Sequence, residues 1–525
     1  MTSTTAVNEP VSTDAGAAAA HRQVLKALSG LLLALFVSTL ASTVVSTALP
    51  RIIGDLHGSQ TQYTWVVTAT LLSATATVPI WGKLADLFSK KTLVQAAISV
   101  FVLGSVASGI SQNAGELIAA RTLQGIGVGG VQSLVQIAIG AMISPRERGR
   151  YAGYLSSVTA VSTIGGPLAG GLIVDTSWLG WRWCFFIGVP IAAVALVLLQ
   201  RTLRLPVIRR AEVKIDYLGS ALIASGVSVL LIWVSFVDSS FAWASWQTAA
   251  MVTGSLVLLG FALWVETRAA EPIVPLDIVR QRTTALAIMG SLAVGTALYG
   301  GSVFLSQYFQ NSRGYTPTHA GLLTIPMMAG ILVSSTVGGR LISRTGKLKP
   351  FLVTGCALLT VGFAGLGLTD RDSSLVFMSV AMLLVGMGVG MTTQNLVLVV
   401  QNSVPLKDIG AASSTIAFFR SLGGTIGVAV LGAILARQVS HQMSQGLADA
   451  GLPAAGATTG SGSPAVQEIV SGAYGDATGH VFLISAGVAI VAVIATALLK
   501  PVTLRTSIDT TSETARSATT TPNES

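Results

Sequence analysis

This 525-residue chain is poor in charge. Asp, Glu, Lys and Arg make up only 10% of it, against roughly 25% in soluble globular domains. It therefore lacks the polar surface that keeps a folded chain in water, and it reads as an integral membrane protein. Cysteine is almost absent. Cys184 and Cys356 are the two present, each in an apolar stretch, which excludes a disulfide framework and Cys-based metal spacing. The five histidines are scattered, so neither a metal site nor the His/Asp/Glu cluster of a membrane enzyme is expected. No P-loop is present to bind a nucleotide. A cleavable signal peptide is not expected, because the first apolar run is too long and follows a polar Thr/Ala/Val stretch.

What is abundant is apolar sequence: 51% hydrophobic residues, 56 glycines and a mean hydropathy of +0.71. At about 20 residues per bilayer crossing, spans are expected near 26–49, 62–81, 92–111, 116–143, 150–174, 183–201, 215–236 and 245–265. Six more are expected near 284–309, 319–341, 350–369, 374–400, 408–436 and 479–500, making fourteen helices. Residues 1–25 and 501–525 read as disordered cytoplasmic tails, and 438–478, rich in Gly, Ala and Ser, as an outer loop.

The distribution of basic residues orients the chain. Placing the N-terminus inside leaves only Arg51, Arg182, Arg313, Arg371 and Arg437 outside and Arg121 and Arg420 within spans; the rest of the 31 Lys and Arg fall on the cytoplasmic side. Both termini are then cytoplasmic, in the plasma membrane. The net charge of +9 records topology, and nucleic acid is not an expected partner. Trp178, Trp181, Trp183, Trp243 and Trp246 mark the outer interface.

The chain also repeats itself. Gly82-Lys83-Leu84-Ala85-Asp86 returns as Gly339-Arg340-Leu341-Ile342-Ser343, Gly125-Ile126-Gly127-Val128-Gly129 as Gly386-Met387-Gly388-Val389-Gly390, and Gly165-Gly166 as Gly423-Gly424. The three pairs occur in the same order at nearly constant offset. A six-helix unit, 26–201, is thus repeated in parallel by 284–500, with two helices, 215–265, inserted between. Parallel halves enclosing a site near the bilayer midplane describe an alternating-access transporter.

Four segments carry a family resemblance. Gly82-Lys83-Leu84-Ala85-Asp86-Leu87-Phe88-Ser89-Lys90-Lys91 resembles the loop 2–3 signature of the major facilitator superfamily, and Arg121-Thr122-Leu123-Gln124-Gly125-Ile126-Gly127 its fourth-helix motif. Gly165-Gly166-Pro167-Leu168-Ala169-Gly170-Gly171 resembles the fifth-helix antiporter motif, and Trp181–Pro190 the opening of helix six in the fourteen-helix drug:proton antiporter branch. The resemblance implies an all-α polytopic fold and a monomeric exporter of hydrophobic or amphiphilic drugs and antibiotics. It implies proton antiport with no cofactor beyond the proton gradient.

Residue by residue, it implies a cytoplasmic latch at Gly82, Asp86, Lys90 and Lys91, closing on the helix that starts near Asp408. Asp86 is suited to accept from a helix N-terminus and complement its dipole. Ser89 stands where the family has Gly, and Ser343 stands where a second acid would make the latch symmetric. Arg121, inside a span, is an expensive residue that marks function, with proton transfer or coupling of helices one and four implied; snorkelling or backbone satisfaction would also explain it. Gly166, Pro167, Gly170 and Gly171 read as a tightly packed, kinked helix at a half-to-half hinge. The expected cavity wall comprises Ser38, Thr39, Ser42, Thr43, Gln132, Gln136, Tyr299, Gln307, Met327, Met328, Gln394, Asn395 and Arg420, neutral polar and soft side chains suited to varied cargo.

One absence cuts against the family pattern. The helix-one acid of the branch is replaced by Ala41, and no helix centre holds a carboxylate. Coupling would then fall to Asp86, Arg121 or a histidine such as His319, and neutral or anionic amphiphiles fit the remaining field better than cations do. The alternative is export of a lipid or lipid conjugate, or uncoupled transport.

Overall fold

The computed structural model describes residues 13–58, 60–143, 145–176, 178–203, 216–237, 241–269, 276–315, 317–405, 408–450 and 464–500. Among them the chain is helical throughout, with no strand beyond an isolated bridge between Val237 and Phe241. The first half is α1 (Thr13–Asp55), α2 (Gln60–Leu87), α3 (Lys90–Ile110), α4 (Ala114–Met142), α5 (Pro145–Asp175) and a sixth crossing divided into α6 (Trp183–Phe186) and α7 (Gly188–Thr202). An inserted pair, α8 (Tyr217–Phe236) and α9 (Trp246–Glu266), and the short α10 (Leu276–Val279) lead into the second half. That half comprises α11 (Arg282–Gln307) with a π-turn at Tyr308–Ser312, α12 (Pro317–Leu323), α13 (Ile325–Thr345), α14 (Lys349–Gly367), α15 (Leu375–Ser403), α16 (Ile409–Asp449) and α17 (Pro464–Ala497).

Twelve of the described helices are long and apolar enough to cross a membrane. The two further expected crossings are α8, whose apolar core Leu218–Val234 is shorter, and α5, which is 31 residues long but diluted by Ser, Thr, Gly and three Arg. The molecule is a multi-pass membrane protein. We call the side bearing the α2–α3 loop the basic face.

Glycine spacing explains how the helices nest, because without a Cβ two backbones can close to contact. A Cβ on Gly125 or Gly129 of α4 would strike the α2 carbonyls of Thr70 and Ala74, and one on Gly127 would strike the α3 backbone at Phe101. In the second half Gly386 and Gly390 of α15 abut α13 at Met327 and Ile331, and Gly388 abuts α14 at Gly355 and Leu359. The two copies therefore use the same alternation: the outer glycines of the run on one neighbour, the middle one on the other.

Three expectations change. Residues 13–25 are helical rather than disordered, as the run Ala17–Ala20 favours; 1–12 and 501–525 lie outside the described residues. Most of the expected loop 438–478 is helix, because α16 continues to Asp449 and α17 begins at Pro464. Val439, Met443 and Leu447, spaced four apart, give that extension of α16 an apolar stripe, and Gly446 lets Ile469 of α17 close onto it. Only 451–463 of that segment lies outside the described residues. Finally, α5 runs unbroken through Gly165–Gly171, and its glycines pack inside the first half: Gly166 abuts Thr43 of α1. Within the run Gly166 makes an α1–α5 contact, where the small residue admits the hydroxyl of Thr43, which donates to the Ser162 carbonyl (3.1 Å). The side chain of Pro167 lies outside the described set; Gly170 is buried and Gly171 has open space at its Cβ.

Candidate functional site

The two halves meet at the basic face through α2 and α16. The first backbone N–H groups of a helix have no intrahelical partner, and an acidic side chain placed there satisfies them and complements the dipole. At the start of α16 the neighbouring acid, Asp408, makes no side-chain cap. Asp86, in the last turn of α2, does so instead from across the interface. The Gly410 N–H donates to Asp86 Oδ1 (2.9 Å) and the Ala411 N–H to Oδ2 (2.7 Å). These are the second and third residues of α16, the positions an N-cap side chain normally serves.

Glycines make the approach possible. A Cβ on Gly82 would overlap Ser414, and one on Gly410 would overlap the Asp86 carboxylate. Lys83 and Lys90 lie in electrostatic range of that carboxylate. Lys91 does not join them: its Nζ donates to the Gln200 carbonyl (2.7 Å) near the end of α7. A helix C-terminus attracts a cation, and α7 lies nearer α3 than α16 does. Two further contacts close the same face. Gly153 of α5 abuts Thr336 of α13, and Gly140 of α4 abuts Gln401 of α15, whose amide donates to Ser413 of α16 (2.7 Å).

The two intramembrane arginines differ. Arg121 of α4 is buried and held by its surroundings. Its Nε donates to the Val66 carbonyl of α2 (3.4 Å), and its Nη1 to Gln124 Oε1, whose amide donates in turn to Ser105 of α3 (2.7 Å). Its hydrogen bonds thus reach α2 and its own helix, and α3 only through Gln124, while none of these partners lies on α1. Arg420 of α16 is the opposite case. Its Nη1 is buried and has no hydrogen-bond partner among the described residues. Tyr299 of α11 lies within electrostatic range of it, with its ring over Gly424, one turn further along α16.

The remaining expected wall residues divide. Ser42, Thr43, Gln132, Gln136 and Gln394 are half-buried, and Tyr299 and Gln307 are exposed. Ser38, Met327, Met328 and Asn395 are instead buried within their own halves. Ser38 donates to the Leu35 carbonyl and Asn395 to that of Met391, while Met327 has Gly386 packed on its backbone; these side chains are consumed by packing in this conformation. Ala41 is buried in the apolar core of the first half. Acids of the described long helices lie at helix ends, as Asp55, Asp86, Glu116 and Glu266 do, or on the extension of α17, as Glu468 and Asp476 do. No group of three or more His, Cys, Asp or Glu able to hold a metal occurs among the described residues. The family resemblance pointed Asp86 at the helix starting near Asp408 without naming the donors Gly410 and Ala411, and the relay through Gln124 to Ser105 was not foreseen.

Residues 31–428 match the sequence profile of the Major Facilitator Superfamily. An uncharacterised MFS-type transporter of Mycobacterium tuberculosis is 35% identical over 485 residues, covering 91% of this chain and 69% of that protein. The multidrug transporter protein MdtP of Bacillus subtilis is 33% identical over 408 residues, covering 78% and 74%. The solved structure of the human organic anion transporter MFSD10 superposes with a TM-score of 0.61 at 13% identity, covering 90% of this chain and 99% of that one. At that identity the likeness concerns architecture and says nothing of cargo.

Proposed function

We propose, for a chain that belongs to the major facilitator superfamily, that it is a secondary active exporter of hydrophobic or amphiphilic small molecules, working by alternating access and driven by proton antiport. The observation that carries this reading is the capping of α16 by Asp86, a contact between halves made by one ionisable group at one membrane face. A relative named as a multidrug transporter supports the breadth of cargo. On this reading the basic face is cytoplasmic, both termini lie on that side of the plasma membrane, and the protein acts as a monomer.

The mechanism follows from the bond chemistry. A carboxylate accepting backbone N–H groups makes charge-assisted bonds roughly twice as strong as neutral ones. Protonation of Asp86 weakens both bonds at once and loosens α2 from α16, so the cytoplasmic face opens; loss of the proton re-forms the cap and closes it. Access is then linked to the proton occupancy of a single side chain, and antiport is complete when that proton arrives from the outer side while the basic face is closed and leaves to the cytoplasm once it is open. Arg121 is a structural tie between α2, α3 and α4, and its role in this scheme is to keep the first half rigid while the latch moves.

The test is transport in proteoliposomes under an imposed pH gradient. Dye movement that follows the gradient and stops with a protonophore is expected, and Asp86→Asn removes the dependence on the gradient. Movement that ignores the gradient would favour the second reading, uncoupled transport or export of a lipid conjugate. The specific observation behind that reading is Ala41, a buried apolar residue at the site of the branch's helix-one acid.

A further inference from the structure

A buried charged nitrogen without a partner is costly, and it persists where something else completes it. Arg420 Nη1 is such a group. Eleven residues separate Arg420 from Ile409, the first residue of α16, which at 1.5 Å per residue is about 16 Å, near the middle of a hydrocarbon core of about 30 Å. Its direction follows from helical spacing. Ser413, Arg420, Gly424 and Gly427 share one face of α16. On that face Ser413 meets Gln401 of α15, and Gly424 and Gly427 meet Tyr299 and Thr296 of α11. Phe418 and Leu422, on another face, pack with α8. Arg420 therefore lies on the face of α16 turned toward α11 and α15 of the second half and away from the inserted helices. Tyr299, beside it, keeps 36% of its surface exposed, so its ring is not sealed into the core. No described acid stands near that depth to neutralise the charge.

The geometry points to an oxyanion-recognition site at Arg420 and Tyr299, taking the carboxylate or phosphate head of an amphiphile whose apolar tail lies along the membrane interior. This rests on the export reading and names its substrate class: acidic amphiphiles are preferred over their neutral counterparts. A guanidinium offers two parallel N–H donors to such a head, and the tyrosine hydroxyl supplies another.

The test separates binding from transport. Quenching of tryptophan fluorescence in the purified full-length protein is measured with a twelve-carbon fatty acid and its methyl ester, and with a short-chain phosphatidic acid and its dimethyl ester. Wild type is expected to bind at least one acid about tenfold more tightly than its ester, as loss of a charged hydrogen bond implies. Arg420→Gln abolishes that preference, Arg420→Lys keeps a part of it, and Tyr299→Phe reduces it. Selectivity for the fatty acid alone identifies a free-acid cargo, and for the phosphatidic acid a lipid headgroup; both support the site. Equal binding of acid and ester by wild type, or a preference unchanged in Arg420→Gln, overturns it. Counterflow in proteoliposomes tests the reading beneath: an intact acid preference without any transport would sink export and leave the anion site standing.

Discussion

The two copies of the six-helix repeat agree in their glycines and disagree in their charges. Gly125, Gly127 and Gly129 nest α4 on α2 and α3 as Gly386, Gly388 and Gly390 nest α15 on α13 and α14. Gly166 admits Thr43 where Gly424 admits Tyr299. Yet Asp86 has Ser343 as its counterpart, and the intramembrane arginine of the first half is fully engaged while that of the second half holds an unpartnered Nη1. The shared part builds the scaffold. The unshared part is where function has to be sought, because a symmetric scaffold alone gives neither direction nor preference for a cargo.

The strongest way to break the comparison is at the shared glycines. Gly125→Val and Gly386→Val each force a side chain into a neighbouring backbone, which cannot yield as a flexible side chain would. Each is expected to cost at least about 1–3 kcal/mol and to abolish a monodisperse peak in size-exclusion chromatography; a mild effect in one half only would show that the halves are not packed alike. Next comes the latch. Asp86→Asn is expected to reduce gradient-driven transport about tenfold, from the loss of charge assistance in two bonds, whereas Ser343→Ala changes it little. The arginines sharpen the contrast in stability. Gln124→Ala strands the Arg121 Nη1 and costs about 1–3 kcal/mol, read as a lowered melting temperature of the purified protein. Arg420→Met has no internal hydrogen bond at Nη1 to lose and leaves the melting temperature equal or higher, since replacing a poorly paired buried charge by an apolar side chain is often neutral or stabilising. The smallest effect is that of Lys91→Gln, below about 1 kcal/mol, because the lysine serves only the end of α7.

Much of the scaffold was legible in the sequence because bilayer crossing and glycine packing are local signals. Hydropathy finds the spans, and the Gly-x-Gly-x-Gly runs mark both the repeat and its tightest contacts. The contact of Asp86 with the start of α16 was implied by the family resemblance of its loop, and the chemistry was legible because a backbone terminus is a partner any helix start supplies. The continuation of α16 past the expected membrane boundary was not, since Val439, Met443 and Leu447 are too sparse to register as hydropathy. The Gly-Pro run of α5 was legible as a close contact but not as one with Thr43 of α1, because small residues announce a contact without saying with which helix. Partnership is also what separated the arginines. Gln124, one helical turn after Arg121, was within reach in sequence, and it is the fold that ties it on to Ser105 and leaves the Nη1 of Arg420 unfilled.

The central claim is that one unduplicated carboxylate holds the basic face shut. Pulsed electron–electron resonance between spin labels at Phe88 and Pro405, both exposed beside the latch, tests it most directly, and the two native cysteines are buried and give little background labelling. Wild type at neutral pH is expected to give a single short distance, Asp86→Asn a second, longer population, and Ser343→Ala the wild-type trace. An Asp86→Asn distribution identical to that of wild type would contradict the account.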